Sequence, residues 1–98
     1  MIKICKVNDL KNNAPKEILL DKKKLLVVKF NLKIYVLDNY CLHKGAKLSK
    51  GKLIDRYIVC PLHGCKWDIT TGENNHNSMI LKKYVAKVED GIVIIDDI

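Results

Sequence analysis

The chain has 98 residues, of which 18 are Lys or Arg and 11 are Asp or Glu, giving a formal net charge of +7, and 48% are hydrophobic. That length suits one compact domain, and because so short a chain buries only about 60–65% of its unfolded surface, a metal or disulfide staple is expected. Apolar runs such as residues 25–28 and 92–95 fall far short of the roughly 20 residues a membrane helix needs, and Lys3, Lys6 and Asp9 interrupt the opening segment where a secretory signal would be unbroken, so a membrane span is excluded and a cytoplasmic location is expected.

Strand-like segments follow in chain order over residues 1–7, 17–20, 24–30, 33–37, 57–60, 66–69, 82–88 and 92–96, all short and rich in β-branched residues. Turn signals separate them at Asn12-Asn13 with Pro15, at Asn31, at Thr71-Gly72 and at Asp90-Gly91. Asp90-Gly91 is the clearest hairpin, since Gly tolerates the positive φ of a tight turn. Residues 44–52 and 73–78 read as polar loops, and no segment keeps a helical period. The pattern predicts an all-β fold, a small antiparallel sandwich or barrel.

Two short clusters carry the chemistry: Cys41-Leu42-His43 and Cys60-Pro61-Leu62-His63, with residues 44–59 between them. Each offers one thiolate and one imidazole, a soft donor set that suits zinc or an iron–sulfur centre. Local ligands of structural zinc usually stand two to four residues apart, whereas Cys41 and His43 have one residue between them and would strain to reach a single ion. Two irons remove that strain, because the thiolates can go to one metal and the imidazoles to the other.

The motif Cys-x-His, a gap of this size, then Cys-x-x-His resembles that of the Rieske [2Fe–2S] proteins. The likeness extends through CLHKGAKLSKGKL and CPLHGCKWDITTGE, and with the opening ICKVNDL and the closing strands around EDG it spans nearly the whole chain. Within the family the chain is most similar to the small ferredoxins of ring-hydroxylating dioxygenase systems and to the small subunit of assimilatory nitrite reductases. The resemblance implies a two-loop cluster-binding subdomain, residues 41–69, on a basal β-domain of residues 1–40 and 70–98. It implies one [2Fe–2S] cluster held by Cys41, Cys60, His43 and His63, with the imidazole edges as the electron exit. Gly45 and Gly64 are expected where backbone passes close to the cluster, and Pro61 would stiffen the second loop.

Two neutral imidazoles in place of two thiolates ease reduction, and place such centres at about −150 to +300 mV. High-potential members of the family carry a Ser and a Tyr where this chain has Cys65 and Trp67, and a disulfide at the positions of Ala46 and Leu62. A thiol is a weak donor and that bridge is absent by composition, so the lower half of the window is expected.

The function implied is that of an electron carrier, not itself an enzyme, taking one electron from a reductase and passing it to a terminal oxygenase or other redox enzyme, as a monomer. Apart from His43 and His63 only His76 remains, which is too few for an oxygenase's mononuclear iron. The alternatives are a relay subunit of a nitrite reductase-type complex and a zinc-stabilised binding module. Every basic residue but Arg56 is a lysine and aromatics are 6%, which argues against nucleic acid. Lys44, Lys47 and Lys66, with Lys50 and Lys52 in the same two loops, instead suggest a basic tip for an acidic patch on the partner. Cys5 reads as a small buried hydrophobe, with a Cys5–Cys65 disulfide possible but disfavoured in a reducing compartment. His76 and Trp67 read as a surface and a packing side chain.

Overall fold

In a β-strand successive side chains point to opposite faces, so an unbroken buried run needs cover on both sides. Residues 25–28, all fully buried, are such a run. They form the middle of β3 (Lys23–Phe30), in a four-stranded antiparallel sheet with β2 (Lys16–Leu20), β4 (Lys33–Asp38) and β8 (Lys83–Tyr84), in the order β2-β3-β4-β8. This computed structural model describes residues 1–40, 46–61, 64–76 and 78–96.

The two faces of that sheet face different cores. Leu25, Val27 and Val36 pack with Leu10, Tyr84, Val93 and Ile95. That side is closed by a three-stranded sheet, β1-β10-β9, made of β1 (Ile2–Lys6), β9 (Ala86–Glu89) and β10 (Ile92–Ile95). Leu26, Val28 and Leu37 pack with Leu48, Ile58, Cys60, Cys65, Trp67, Ile69 and Leu81. Each buried aliphatic here contributes about 1.5–3 kcal/mol by leaving water. Ile58 and Trp67 come from the third sheet, β5-β6-β7, formed by β5 (Lys52–Ile54), β6 (Tyr57–Val59) and β7 (Lys66–Asp68).

The fold is therefore all-β and antiparallel, as the sequence predicts, with three differences in detail. The expected strand over residues 82–88 is two strands: β8 pairs with β4, β9 pairs with β10, and the chain changes sheet at exposed Val85. The loop expected over residues 44–52 contains a 3-10 turn, Leu48–Lys50, and ends in β5, which sequence reading missed. Asp21 (φ 53°) and Asp55 (φ 53°) lead the turns between β2 and β3 and between β5 and β6 without any glycine to mark them. Asp90-Gly91 does form the hairpin of β9 and β10, with φ of 52° and 73°, and Asn31-Leu32 repeats that geometry between β3 and β4.

Cys5 is half-buried in β1, against the core between the first two sheets, and burial pushes its thiol pKa up. Cys65 belongs to the other core, across the four-stranded sheet, which removes the possible Cys5–Cys65 disulfide. No helix among the described residues is long and apolar enough to cross a membrane.

Candidate metal centre

The second cysteine arm is a hairpin between β6 and β7. The Cys60 N–H donates to the Cys65 carbonyl at 2.7 Å and the Gly64 N–H donates to the Cys60 carbonyl at 3.0 Å, so the turn is closed at its base. Gly64 has φ +68°, and an ideal Cβ there would meet no protein atom within 4 Å. Conformation rather than crowding by protein atoms asks for glycine at this position. Cys60 is 1% exposed, and Cys65 and Trp67 are fully buried beside it. Trp67 thus packs, as its residue type suggests, and exposed Lys66 stands between the two buried positions.

The third sheet holds this hairpin in place through buried Asp68. Its carboxylate accepts from the Arg56 Nε at 2.9 Å, the Thr70 N–H at 2.9 Å and the Thr70 hydroxyl at 2.6 Å. The polar loop after it runs along β7, through a bridge between Trp67 and Asn74 and a hydrogen bond from the Lys66 N–H to Asn75 Oδ1 at 3.0 Å. His76 is exposed in that loop.

Cys41, His43, Lys44, Gly45 and His63 lie outside the described residues, as does Leu62. The flanks of the first arm are described. It leaves β4 through Asn39, which is fully buried, and returns through Ala46 and Leu48, which pack on the same core as Cys60, Cys65 and Trp67. Ala46 and Leu48, which follow the first arm, thus share one core with Cys60 of the second.

Asn39 is bonded on every side. Its backbone N–H donates to the Lys24 carbonyl at 2.9 Å, its side-chain amide donates to Glu17 Oε2 at 2.8 Å and to Ser49 Oγ at 2.9 Å, and its Oδ1 accepts from the Ser49 N–H at 2.8 Å. Lys47 Nζ completes the group by donating to Glu17 Oε1 at 3.2 Å. Burial pushes the Glu17 carboxyl up, but the hydrogen bonds from Lys47 and Asn39 and the nearby positive charge outweigh it and hold the group below its ordinary value. Sequence reading took Lys47 for a docking lysine; its ammonium is committed to Glu17. Glu17, Asn39 and Ser49 carried no local signal, because their partners stand 10 to 30 positions away.

Beside the cysteine hairpin lies an open cavity of about 370 Å³, lined by Lys50, Lys52, Ile54, Val59, Pro61 and Gly64 among others. Ile54 is 56% exposed, so an apolar spot flanked by two lysines borders the turn that carries Cys60.

A buried cysteine at the closed base of a turn in a three-stranded sheet, with Ala46 and Leu48 packed on the same core, defines a small all-β domain with a buried soft donor at one end. Residues 1–87 match the Rieske [2Fe-2S] domain, and the chain belongs to that family, whose cofactor is a [2Fe–2S] cluster. It is 38% identical over 88 residues to human apoptosis-inducing factor 3, covering 88% of this chain and 14% of that protein. It is 37% identical over 76 residues to the ferredoxin component of the naphthalene 1,2-dioxygenase system of Pseudomonas putida, covering 76% of this chain and 73% of that one. Among solved structures, the Sphingomonas yanoikuyae B1 ferredoxin superposes with a TM-score of 0.92 at 32% identity, covering 98% of this chain and 97% of that one.

The described residues fit such a cluster. Cys60 would supply a soft sulfur donor shielded from water, at a turn whose base is already closed by backbone hydrogen bonds.

Proposed function

We propose that this domain is a one-electron carrier, with residues 41–69 as the cluster-binding tip on a base of residues 1–40 and 70–98. Cys41 and Cys60 as thiolates, and His43 and His63 as imidazoles, would hold the cluster. When bound, the cluster supplies a reversible one-electron couple. The chain's own residues do the rest: the hairpin of residues 60–65 fixes one arm, the buried side chains of Cys65 and Trp67 keep water from its base, and exposed lysines attract a partner. The observation that carries the reading is the paired motif, with Cys60 buried at the closed base of its turn. The match to a dioxygenase ferredoxin component across 73% of that protein supports a reductase as donor and a terminal oxygenase as acceptor. The cytoplasm, where thiols stay reduced, suits such a carrier.

A second reading is favoured by one finding, that the chain spans only 14% of apoptosis-inducing factor 3. The same domain also occurs inside longer proteins, so an internal relay within a larger redox assembly, of the nitrite reductase type, is the alternative acceptor arrangement.

Lys50, Lys52 and Lys66 are exposed around the second arm and support docking to an acidic surface. Lys44 is proposed with them, and Lys47 contributes less because Glu17 neutralises it.

The test is low-temperature EPR and visible absorption on protein purified without oxygen, before and after dithionite, with iron and sulfide counted. A rhombic signal of lowered average g at two irons per chain is expected. A colourless, zinc-containing, EPR-silent protein overturns the assignment and leaves a binding module.

A further inference from the structure

The group of Glu17, Ser49 and Lys47, half-buried around fully buried Asn39, lies on none of the ligand positions, yet it ties together the two ends of the segment that carries Cys41 and His43. Asn39 is the last fixed point before that segment, since its backbone N–H extends the β3–β4 ladder to Lys24. Ser49 follows it in the 3-10 turn that buries Leu48. The Asn39 side chain joins the two points directly through two hydrogen bonds with Ser49, of 2.9 and 2.8 Å, and its amide donates a third, of 2.8 Å, to Glu17. Glu17 anchors the pair to β2, where it faces Leu26 of β3 in the sheet register.

We propose that Asn39 and Glu17 are positioning residues, forming a clamp that sets the spacing of the first ligand arm and so governs how firmly the cluster is held and at what potential it is reduced. A ligand loop whose ends are fixed on rigid strands loses less entropy when it closes on a metal, and groups that orient ligands without touching the metal typically govern affinity about 10–100-fold. The inference rests on the cluster assignment above. It also separates two classes of lysine at the tip: Lys47 belongs to the clamp, whereas Lys50 and Lys52 face solvent beside the second arm.

The geometry allows a swap. Asn39→Asp sets a carboxylate against Glu17 Oε2, and the repulsion drives the side chain away from both Glu17 and the Ser49 N–H. Adding Glu17→Gln restores a donor–acceptor pair with reversed polarity and returns the net charge of the group to its original value. The holoprotein is exposed to excess ferrous chelator and bleaching is followed in the visible, with the midpoint potential measured in parallel. N39D is expected to lose its cluster about tenfold faster, the worth of one charge-assisted hydrogen bond, with a displaced midpoint, and the double variant to return within about twofold of wild type.

Loss at the wild-type rate in N39D, or a double variant no better than N39D, overturns the clamp. Should N39D fail to fold, Ser49→Ala removes only the hydroxyl partner, and a wild-type bleaching rate there overturns the clamp equally. Amide exchange at Ser49 is the readout that needs no cluster: faster exchange in N39D and its recovery in the double variant support the clamp, while unchanged exchange overturns it. Wild-type protein purified without iron and sulfide overturns the cluster assignment instead, which keeps the two failures apart.

Discussion

Cys65 places a thiol, fully shielded from water, five positions after Cys60 and across the base of the same hairpin. By resemblance, this is where high-potential relatives carry a Ser that donates to cluster sulfur, and a hydroxyl is the stronger donor. Cys65→Ser is therefore expected to raise the midpoint potential, by stabilising the more negative reduced state. The hydroxyl also enters an apolar core among Leu26, Ile58 and Trp67, so the same variant loses about 1 kcal/mol or more in urea unfolding. A raised midpoint with reduced stability is the expected pair of results; an unchanged midpoint would show that this side chain does not reach the sulfurs. Tyr84 gives a second test at this scale. Its hydroxyl donates to Asp38 Oδ1 at 2.6 Å, with Lys23 Nζ 3.8 Å from the same oxygen. Burial, followed by the hydrogen bond and the charge of Asp38, pushes the Tyr84 pKa well above its usual value of about 10. The folded state therefore holds this proton more tightly than the unfolded chain. Its contribution is complete below about pH 10 and falls as pH rises from there towards the higher folded value. Tyr84→Phe should cost about 1.5–3 kcal/mol near pH 8, and the gap from wild type should narrow above pH 10 in urea titrations. A gap independent of pH would assign the whole effect to packing.

Elements were legible where the side-chain pattern alone decides them. Residues 25–28 read as a short apolar run and became the strand buried on both faces, and Asp90-Gly91 carried its turn chemistry openly. What could not be read depended on partners remote in sequence. β5 is three residues long, begins with a lysine and exists because Lys52 and Ile54 pair with Val59 and Tyr57, while its turn uses Asp55 at positive φ in place of a glycine. The break at Val85 follows from which sheet each neighbour joins, a fact of topology that no local period encodes. The same holds for the site: the cysteine and histidine spacing announced the metal chemistry, whereas the Asn39 group became visible only once β2, β4 and the 3-10 turn lay side by side. Gly51 shows how tightly β5 is set against the cysteine strand. Its φ is an ordinary −84°, but a Cβ there would run into the Val59 carbonyl, so close approach of backbone, and not a left-handed conformation, demands glycine. Gly51→Ala should cost about 1–3 kcal/mol, as overpacking does, and because Val59 immediately precedes Cys60 it should also speed cluster loss to a chelator. Wild-type stability in that variant would mean that β5 moves aside without consequence.

Across the whole molecule the excess of positive charge is spread over both ends, and its location rather than its sum bears on electron exchange. Lys50 and Lys52 border the turn that carries Cys60, while Lys3 and Lys87 sit opposite Ile94 from the two sides of the outer sheet, on strands that share no core with the cysteine hairpin. Reversing either pair to Glu changes the net charge equally, so the two double variants separate a local field from a global one. Ferricyanide, a small multivalent anion, reports the field where the electron leaves without needing the natural partner. At low ionic strength, oxidation of the dithionite-reduced protein by ferricyanide should slow several-fold, about the scale of local electrostatic steering, in K50E/K52E and much less in K3E/K87E. In about 1 M salt the screening length falls to about 3 Å, and the variants should converge on wild type. Equal slowing in both doubles would assign the effect to net charge and remove the basic tip as a docking feature. A difference that survives high salt would instead mean that K50E/K52E had disturbed the second arm itself, a change that the chelator assay would register as faster loss of the cluster.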